Sequence, residues 1–489
     1  MNKYKWTPLA LTLAMSASLS HATSNPSGDV DIDNDGLIEI ATLQELDLMR
    51  YDLAGTSLNG DSTGCPATGC YGYELVNDLD FDTNGNGVAD AGDDFWNGGA
   101  GWKPVGDTGS HSYDQKKVEG AVTANFYGNG FSINNLFIDR PNKDWVGLFA
   151  NIYRGNISNL VLRSANVTGS DAAGVLSGAI NNSDISHIRI SDSHLNGEDE
   201  VGLMAGRYYG NGNIINNINV NGNVSGDKYV GGIFGWSIRD KGANPVENNT
   251  FSNLISNVII SARYYAGGIG GFATGADVRN LVSKCDIEAV ANYIGGVFGI
   301  LGGGSALDIV SDCELSGLHD VGGAFGLILG MNISKVLVSP TSITKGSHPG
   351  GFSGRVAAST VSDSRVLGLV QGRFNASGLT NEVRGDVSVS NVYVGSNIVV
   401  TNNSAPEHKA GLIREIYYSG TTLDVTESYW DTDATGTLLS VSGYGEGKTT
   451  FDLQCPTEAG DVTCDASLYA DWDETVWDFG TSTDYPVLR

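Results

Sequence analysis

Alternating acidic residues near the N-terminus are the first group whose spacing could do chemistry. Residues 27–40 read Ser-Gly-Asp-Val-Asp-Ile-Asp-Asn-Asp-Gly-Leu-Ile-Glu-Ile. Aspartates at every second position, followed by a glycine that turns the chain, point several oxygens at one Ca²⁺ ion. The last position of the EF-hand template falls on Thr42, so Glu39 is the substitute ligand. The candidate ligands are Asp31, Asp33, Asp35 and Glu39, and the alternative is a solvated acidic turn.

A second acidic loop, residues 82–93, fits the calcium template over its whole length. Gly87 stands at the turn position, and an Asp closes the loop where the template has Glu. The candidate ligands are Asp82, Asn84, Asn86, Asp90 and Asp93, together with the backbone carbonyl of Val88. We predict that both loops bind Ca²⁺ in a structural role.

Catalytic chemistry has only one candidate pair in this sequence. The motifs His-Glu-x-x-His and Cys-x-x-Cys and the phosphate loop are all absent. Asp286 and Glu314 lie one repeat period apart, and two nearby carboxylates can divide into acid and base roles. A solvated acidic face is the alternative. Our first hypothesis is therefore a non-catalytic protein, and the second is a polysaccharide-degrading enzyme.

A sequence repeat predicts the secondary-structure elements that position these residues. Its clearest copy is Tyr-Ile-Gly-Gly-Val-Phe-Gly at residues 293–299. The first glycines of the copies are Gly147, Gly174, Gly202, Gly231, Gly267, Gly295, Gly322 and Gly350, with spacings of 27, 28, 29, 36, 28, 27 and 28 residues. Such a period indicates a solenoid whose coils pack mainly on their neighbours. Short apolar runs between the glycines predict β-strands.

Two columns of equivalent residues accompany the repeat. One contains Asn159, Asn217, Asn253 and Asn280, for which we expect inward-facing amides that bond along a ladder. The other lies two residues before each repeat glycine and contains the possible glycan-contact residues Tyr229, Tyr265 and Tyr293. Aromatic strips can stack on sugar rings. The alternative is that these tyrosines pack on one another.

Six cysteines in an exported chain predict disulfides. Cys65 and Cys70 bracket a short turn, and Cys455 and Cys464 bracket another small loop. Cys285 and Cys313 lie one period apart. Stacked residues are about 4.8 Å apart, which is within the Cα separation of about 4.4–6.8 Å that a disulfide accepts. We predict a Cys285–Cys313 bond between neighbouring coils.

Export is predicted by the first 22 residues, which place an apolar run after Lys3 and Lys5 and end in Ser-His-Ala. No other stretch reaches 18 consecutive apolar residues, so we expect no membrane span. The formal net charge of −28 disfavours nucleic acid as a partner. We expect the protein outside the cell, at the cell surface or in the periplasm, with a surface glycan or another cell-surface protein as its partner.

The predicted organisation has four parts. They are a signal peptide at 1–22, an N-terminal cap with the calcium-type loops at 23–118, the solenoid repeats at 119–400 and a C-terminal capping region at 401–489. Leu43, Leu46, Met49 and Leu53 have helical spacing, with Thr42 and Glu45 placed for a capping box. This predicts a short capping helix, and the aromatic residues near the C-terminus predict a plug over the last coil.

The chain resembles the GLUG-motif family of bacterial exported proteins, named for a Gly-Leu-x-Gly element. Residues 146–149 and 201–206 carry that element, and residues 157–162 carry the Ile-x-Asn-Leu type of element that follows it. The resemblance implies a right-handed parallel β-solenoid on a large surface or adhesin-like protein, and the repeats of this chain predict about ten coils. The same motif accompanies IgA-specific zinc metalloproteases, but their catalytic His-Glu-x-x-His is absent from this sequence.

Overall fold

Parallel β-strands stacked in coils make up most of the computed structural model. It describes residues 28–107, 120–240, 242–243, 245–339, 342–346, 348–402, 408–417, 420–440, 444–454, 468–479 and 484–489. Strands account for 54% and helices for 5% of the structure, and the parallel β-solenoid has about nine turns. The predicted all-β solenoid is confirmed, with about one turn fewer than expected. The predicted signal peptide lies outside the described residues.

Each central coil has three faces, which we call the short, middle and long faces. The short face contains Asp199–Gly202, Lys228–Gly231, Tyr264–Gly267, Asn292–Gly295 and His319–Gly322. The middle face contains Phe149–Tyr153, Ser177–Asn181, Ala205–Gly210, Phe234–Arg239, Gly270–Thr274, Ser353–Ala357, Thr380–Arg384 and Ile413–Ile416. The long face contains Ile157–Arg163, Ile185–Asn196, Ile214–Ser225, Asn249–Ala262, Ala276–Ala289, Thr360–Val366, Val387–Val394 and Leu423–Thr426. Phe298–Ser316 and Phe325–Val338 run through both the middle and the long face.

Shorter strands complete the two ends of the stack. At the N-terminal end they are Ile38–Ile40, Gly72–Leu75, Leu79–Asp80, Asn125–Tyr127, Ser132–Asn134, Phe137–Asp139 and Asn166–Thr168. Towards the C-terminal end they are Ser342–Gly346, Leu369–Gly372, Ala376–Ser377, Asn397–Val400, Lys409–Ala410, Tyr429–Asp431 and Glu446–Lys448. Trp477–Asp478 and Val487–Leu488 form an antiparallel pair.

The core is a set of inward columns in which one apolar residue per coil lies above the next. One column is Ile38, Tyr73, Phe126, Ile157, Ile185, Ile215, Phe251, Val278, Ala306, Ile333, Val361, Val389 and Val425. The parallel ladder therefore begins within the segment expected to be a cap, at Ile38. It also continues beyond residue 400, so neither predicted boundary coincides with an end of the ladder.

The close approach of successive coils explains the repeat glycines. A Cβ atom on Gly295 would lie 2.1 Å from the carbonyl oxygen of Phe298 and 2.7 Å from that of Ala324. Both neighbours are backbone atoms, which cannot move without shifting a strand. A glycine is therefore required here by space, and its φ angle is not the reason.

Two bends in each coil use left-handed backbone conformation at non-glycine residues. The first column has φ between 46° and 57°: Asn135, Asn159, His187, Asn217, Asn253, Asn280, Asp308, Lys335, Asp363 and Asn391. These residues are exposed or half-buried, so the expectation of inward-facing amides is wrong. The predicted hydrogen bonds along the column do form between some neighbouring rungs, by which we mean successive strands of one face. For example, Asn280 Nδ2 donates to Asn253 Oδ1 at 3.1 Å. Asn leads this column because it tolerates positive φ better than most residues.

Caps close both ends of the stack. The capping helix spans Leu43–Leu48, and the amide of Glu45 donates to Thr42 Oγ1 at 3.2 Å, as in a capping box. It ends earlier than the apolar spacing suggested, because Met49–Tyr51 form a 3₁₀ turn. At the other end, short helices span Thr432–Thr435 and Thr450–Gln454. A separate apolar cluster there contains Tyr393, Tyr429, Leu453, Leu468, Tyr469, Trp472 and Trp477, which confirms the aromatic cap.

Candidate functional site

The first acidic loop wraps around a buried carboxylate. Asp31 has no exposed surface, and its two oxygens accept hydrogen bonds from the amides of Asp35 at 3.1 Å and Gly36 at 3.0 Å. Glu39 Oε1 accepts from the amide of Ile32 at 2.7 Å. These bonds fold the alternating aspartates into a compact turn that holds their side chains on one side.

Carboxylate oxygens from this loop converge with one residue that sequence reasoning missed. Oxygens of Asp31, Asp33 and Glu39 lie within 4.8 Å of one another, and so do those of Asp33, Asp35 and Glu74. Glu74 joins the group because the strand Gly72–Leu75 pairs in parallel with Ile38–Ile40, which places Glu74 beside Glu39. The shared apolar-Glu-apolar pattern of the two strands was the available signal.

Burial and mutual repulsion disturb the acid–base properties of this cluster. Burial raises the pKa of Glu74 to about 7, against a hydrogen bond from Asn129, and the charges of Asp35, Asp33 and Glu39 add to the rise. Burial also raises the pKa of Glu39 and of Asp35. A cation among these oxygens would offset the repulsion, and an all-oxygen set suits Ca²⁺. The residues present therefore fit the predicted ion, and Glu74 would be an additional ligand.

A disulfide fixes the chain beside this cluster. Cys65 and Cys70 are bonded, with Cα atoms 5.2 Å apart. Cys70 is buried, and its sulfur lies 3.6 Å from Asp31 Oδ2. The disulfide therefore closes the loop between residues 65 and 70, and its buried Cys70 sulfur packs against the Asp31 carboxylate at the start of the second rung.

The second acidic loop is curled but more exposed. The amide of Gly87 donates to Asp82 Oδ2 at 2.7 Å, and the side chains of Asn84 and Asn86 both donate to Asp90, at 3.0 and 2.7 Å. Asp93 Oδ2 accepts from the amide of Asp90 at 3.0 Å. Val88 is 62% exposed. Among the described residues, close groups of three acidic or sulfur ligands occur at the first loop and not here, so the first loop offers the denser set of oxygens.

The predicted link between coils is present in the structure. Cys285 and Cys313 are register partners on neighbouring rungs of the long face, bonded with Cα atoms 4.5 Å apart. The residues that follow them, Asp286 and Glu314, are also register partners and are exposed. The third predicted pair, Cys455 and Cys464, lies outside the described residues.

The tyrosine column forms a stack along one flank of the solenoid. The rings of Tyr229 and Tyr265 are 4.8 Å apart at 18°, and those of Tyr265 and Tyr293 are 5.5 Å apart at 5°. The guanidinium of Arg355 lies 5.8 Å from the Tyr293 ring. Ring faces therefore pack on one another or on a guanidinium. This geometry fits the packing alternative, and the three side chains remain half-buried.

A second, shorter stack runs beside the first. Trp236 and Phe272 are 6.3 Å apart at 15°, and the guanidinium of Arg207 lies 4.9 Å from the Trp236 ring. Arg207 forms a buried ion pair with Glu200, with a 2.5 Å separation between Nη2 and Oε1. We call these two stacks, with residues Tyr229, Tyr265, Tyr293, Trp236 and Phe272, the aromatic flank. All five side chains are half-buried.

The fold and its acidic loop thus define a parallel β-solenoid with a candidate cation site at its first rungs. No family model matches the chain. A stretch of 166 residues is 29% identical to halomucin from Haloquadratum walsbyi, which covers 34% of this chain and 1% of the halomucin. A crystal structure of a candidate immunoglobulin A1 protease from Bacteroides ovatus has 16% identity and a TM-score of 0.31, covering 93% of this chain and 92% of that one. Among the described residues, no helix is long and apolar enough to cross a membrane.

Proposed function

We propose that this chain is an exported, calcium-stabilised β-solenoid with an adhesin-like, non-catalytic role. It contacts a surface glycan or another cell-surface molecule. The observation that carries the proposal is the aromatic flank, a continuous half-buried group on a chain with a net charge of −28. Two disulfides support an oxidising compartment outside the cytosol. The predicted signal peptide at residues 1–22 supplies the export route.

Contact at the flank uses ring edges and hydroxyl groups. Within the described part of the chain, the hydroxyl groups of Tyr229 and Tyr265 have no hydrogen-bond partner, whereas the hydroxyl of Tyr293 accepts from Arg355 at 3.3 Å. A free phenol on a rigid stack donates and accepts at little cost in side-chain entropy. Sugar hydroxyls and polar protein groups are both suitable partners for it.

Glycan-array and host-cell binding with Tyr-to-Phe variants tests this role. The double variant Tyr229→Phe/Tyr265→Phe keeps both stacks and removes only the two hydroxyls, so we expect it to fold normally and to bind several-fold more weakly. Tyr265→Ala removes the whole ring and breaks the stack. Comparison of its binding with that of the double variant separates the loss of ligand contacts from the loss of ring packing. Unchanged binding by the double variant would contradict the proposal that the aromatic flank contacts the ligand.

Calcium in this proposal fastens the first rungs together. Glu39 and Glu74 belong to adjacent strands, and each has a carboxylate oxygen within 4.8 Å of one on Asp33, so calcium bound around Asp33 would hold Ile38–Ile40 against Gly72–Leu75. Titration calorimetry of metal-free protein should give heat with Ca²⁺, and that heat should fall in Asp31→Asn. A flat titration of the intact protein would refute the calcium proposal for both loops.

A second candidate function is polysaccharide cleavage, favoured by the placement of Asp286 and Glu314. They are register partners on adjacent rungs with a backbone spacing of about 4.8 Å, which lets their carboxyl groups approach the separation of about 5–5.5 Å found in retaining glycosidases. Incubation with acidic and neutral polysaccharides, followed by measurement of new reducing or unsaturated ends, separates the two functions. Turnover that is lost in Glu314→Gln supports an enzyme, whereas binding without turnover supports the adhesin-like role.

A further inference from the structure

A trough on the outside of the long face is the second surface feature that could hold a ligand. It consists of two adjoining depressions of about 370 and 350 Å³ that share Asn223 and Ile259. Its central column is formed by register partners on successive rungs: Asn166, His194, Asn223, Ile259, Asp286 and Glu314. The trough therefore runs along the solenoid axis, across six rungs.

The lining of the trough combines exposed amides with the apolar side chains of Leu195, Val224, Val258 and Ile259. Asn166, Asn196, Asn223 and Asn257 are exposed along it, and each amide offers donors and acceptors at once. Ile259 is 58% exposed and is the most accessible of these apolar side chains, since Leu195, Val224 and Val258 are buried. Sugars present the same combination, with hydroxyl groups around the ring edge and apolar C–H groups on the ring face.

Charge decides which class of sugar suits the trough. Asp286 and Glu314 lie at one end, and within the described residues they form no ion pair. Together with the net charge of −28, they repel anionic chains, while carboxylates accept hydrogen bonds from neutral hydroxyls well. Rung spacing adds a geometric match, because a repeat of about 4.8 Å is close to the length of one sugar unit in an extended chain.

We propose that this trough, from Asn166 to Glu314, binds an extended neutral oligosaccharide lying along the solenoid axis. The inference rests on the proposed carbohydrate interaction and adds a second contact surface, on a different face from the aromatic flank. The Cys285–Cys313 bond lies directly under the acidic end and fixes the two rungs that carry Asp286 and Glu314. The site is thus rigid before the ligand arrives, which lowers the entropic cost of binding.

Titration calorimetry with the full chain tests the trough. The probes are cellohexaose, laminarihexaose, maltohexaose and chitohexaose, with hexagalacturonate as the anionic probe. We expect at least one neutral probe to bind and the anionic probe to give no heat. The variant Asn223→Ala/Asn257→Ala loses two amides and should raise Kd at least about fivefold. Asn397→Ala, an exposed amide further along the same stack, is the matched control and should not change Kd.

Three results would overturn the inference, and each does so differently. Wild-type affinity in the trough variant, with weakened binding in Tyr229→Phe/Tyr265→Phe, would place the ligand on the aromatic flank and leave the proposed function standing. Preferential binding of hexagalacturonate would contradict the neutral class. No heat with any of the five probes would remove both the trough and the proposed carbohydrate interaction.

Discussion

Replacement of Glu74 by Gln should stabilise the metal-free protein at alkaline pH. Glu74 is 7% exposed and lies near the carboxylates of Asp33 and Asp35. Gln has the same shape and can still accept the hydrogen bond that Asn129 Nδ2 donates to Glu74 at 2.6 Å. The substitution therefore removes one buried negative charge and leaves the packing of the first two rungs intact.

The size of the effect follows from the pKa of Glu74. Burial raises it from 4.5 to about 7, so the folded state holds this proton more tightly than the unfolded chain does. At about 1.4 kcal/mol per pKa unit, a rise of about 2.5 units costs the folded state up to about 3.4 kcal/mol once Glu74 is ionised. Partial contact with water reduces this to about 2 kcal/mol. The cost is absent below pH 4.5, grows as the pH rises from 4.5 to 7, and is complete above 7.

Melting temperatures in EDTA at about pH 4.5 and pH 8 test this reasoning. At pH 8 we expect Glu74→Gln to melt about 2 °C or more above the wild type, and near pH 4.5 the two proteins should converge. Glu474→Gln, an exposed glutamate near the C-terminus, is the matched control and should not change the melting temperature at either pH. With saturating Ca²⁺ the order should reverse, because the variant lacks one ligand. No difference between Glu74→Gln and its control at pH 8 would refute the argument.

Two further predictions concern the repeat. The Cys285→Ser/Cys313→Ser variant opens a 28-residue loop and should lose about 3.5 kcal/mol of unfolding free energy in guanidinium; an unchanged midpoint would contradict the role of the bond between coils. Gly295→Ala should cost about 1–3 kcal/mol or more, because its Cβ would meet the carbonyl oxygen of Phe298 at 2.1 Å. Gly302→Ala is the comparison, since its nearest neighbour would be 3.2 Å away, and equal losses in the two variants would show that backbone crowding is not the cause.

The solenoid was predictable because its glycines recur with little variation. A constant period places equivalent residues one above another, and this alone was enough to predict the Cys285–Cys313 bond, since a rung spacing suits a disulfide. The same logic placed Asp286 beside Glu314. Prediction succeeded for these pairs because the period itself carries the spatial information.

Contacts that cross an irregular interval could not be predicted in this way. Glu74 reaches the acidic loop through the pairing of two strands that precede the regular repeat, so no constant spacing connects it to Glu39. The trough was missed for a different reason. Its lining residues, such as Asn223 and Ile259, have no shared type, and only the register shows that they form one column.

Two columns of equivalent residues have left-handed backbone conformation, and their residue types have different explanations. Positive φ costs an ordinary L-residue about 1–2 kcal/mol, and Asn and Asp are the non-glycine residues that tolerate it best. The first column consists mainly of Asn and Asp, so backbone conformation alone explains it. In the second column, Tyr229, Tyr265 and Tyr293 adopt φ of 54°, 54° and 64°, although Tyr is not favoured there. Their side chains must offset that cost, and the stacked rings with the Arg355 guanidinium are the contacts that do so. Substitution of all three tyrosines by Asn should therefore leave the coil intact while removing the tyrosine stack. Loss of ligand binding by a variant with unchanged stability would then be due to the missing rings and not to unfolding.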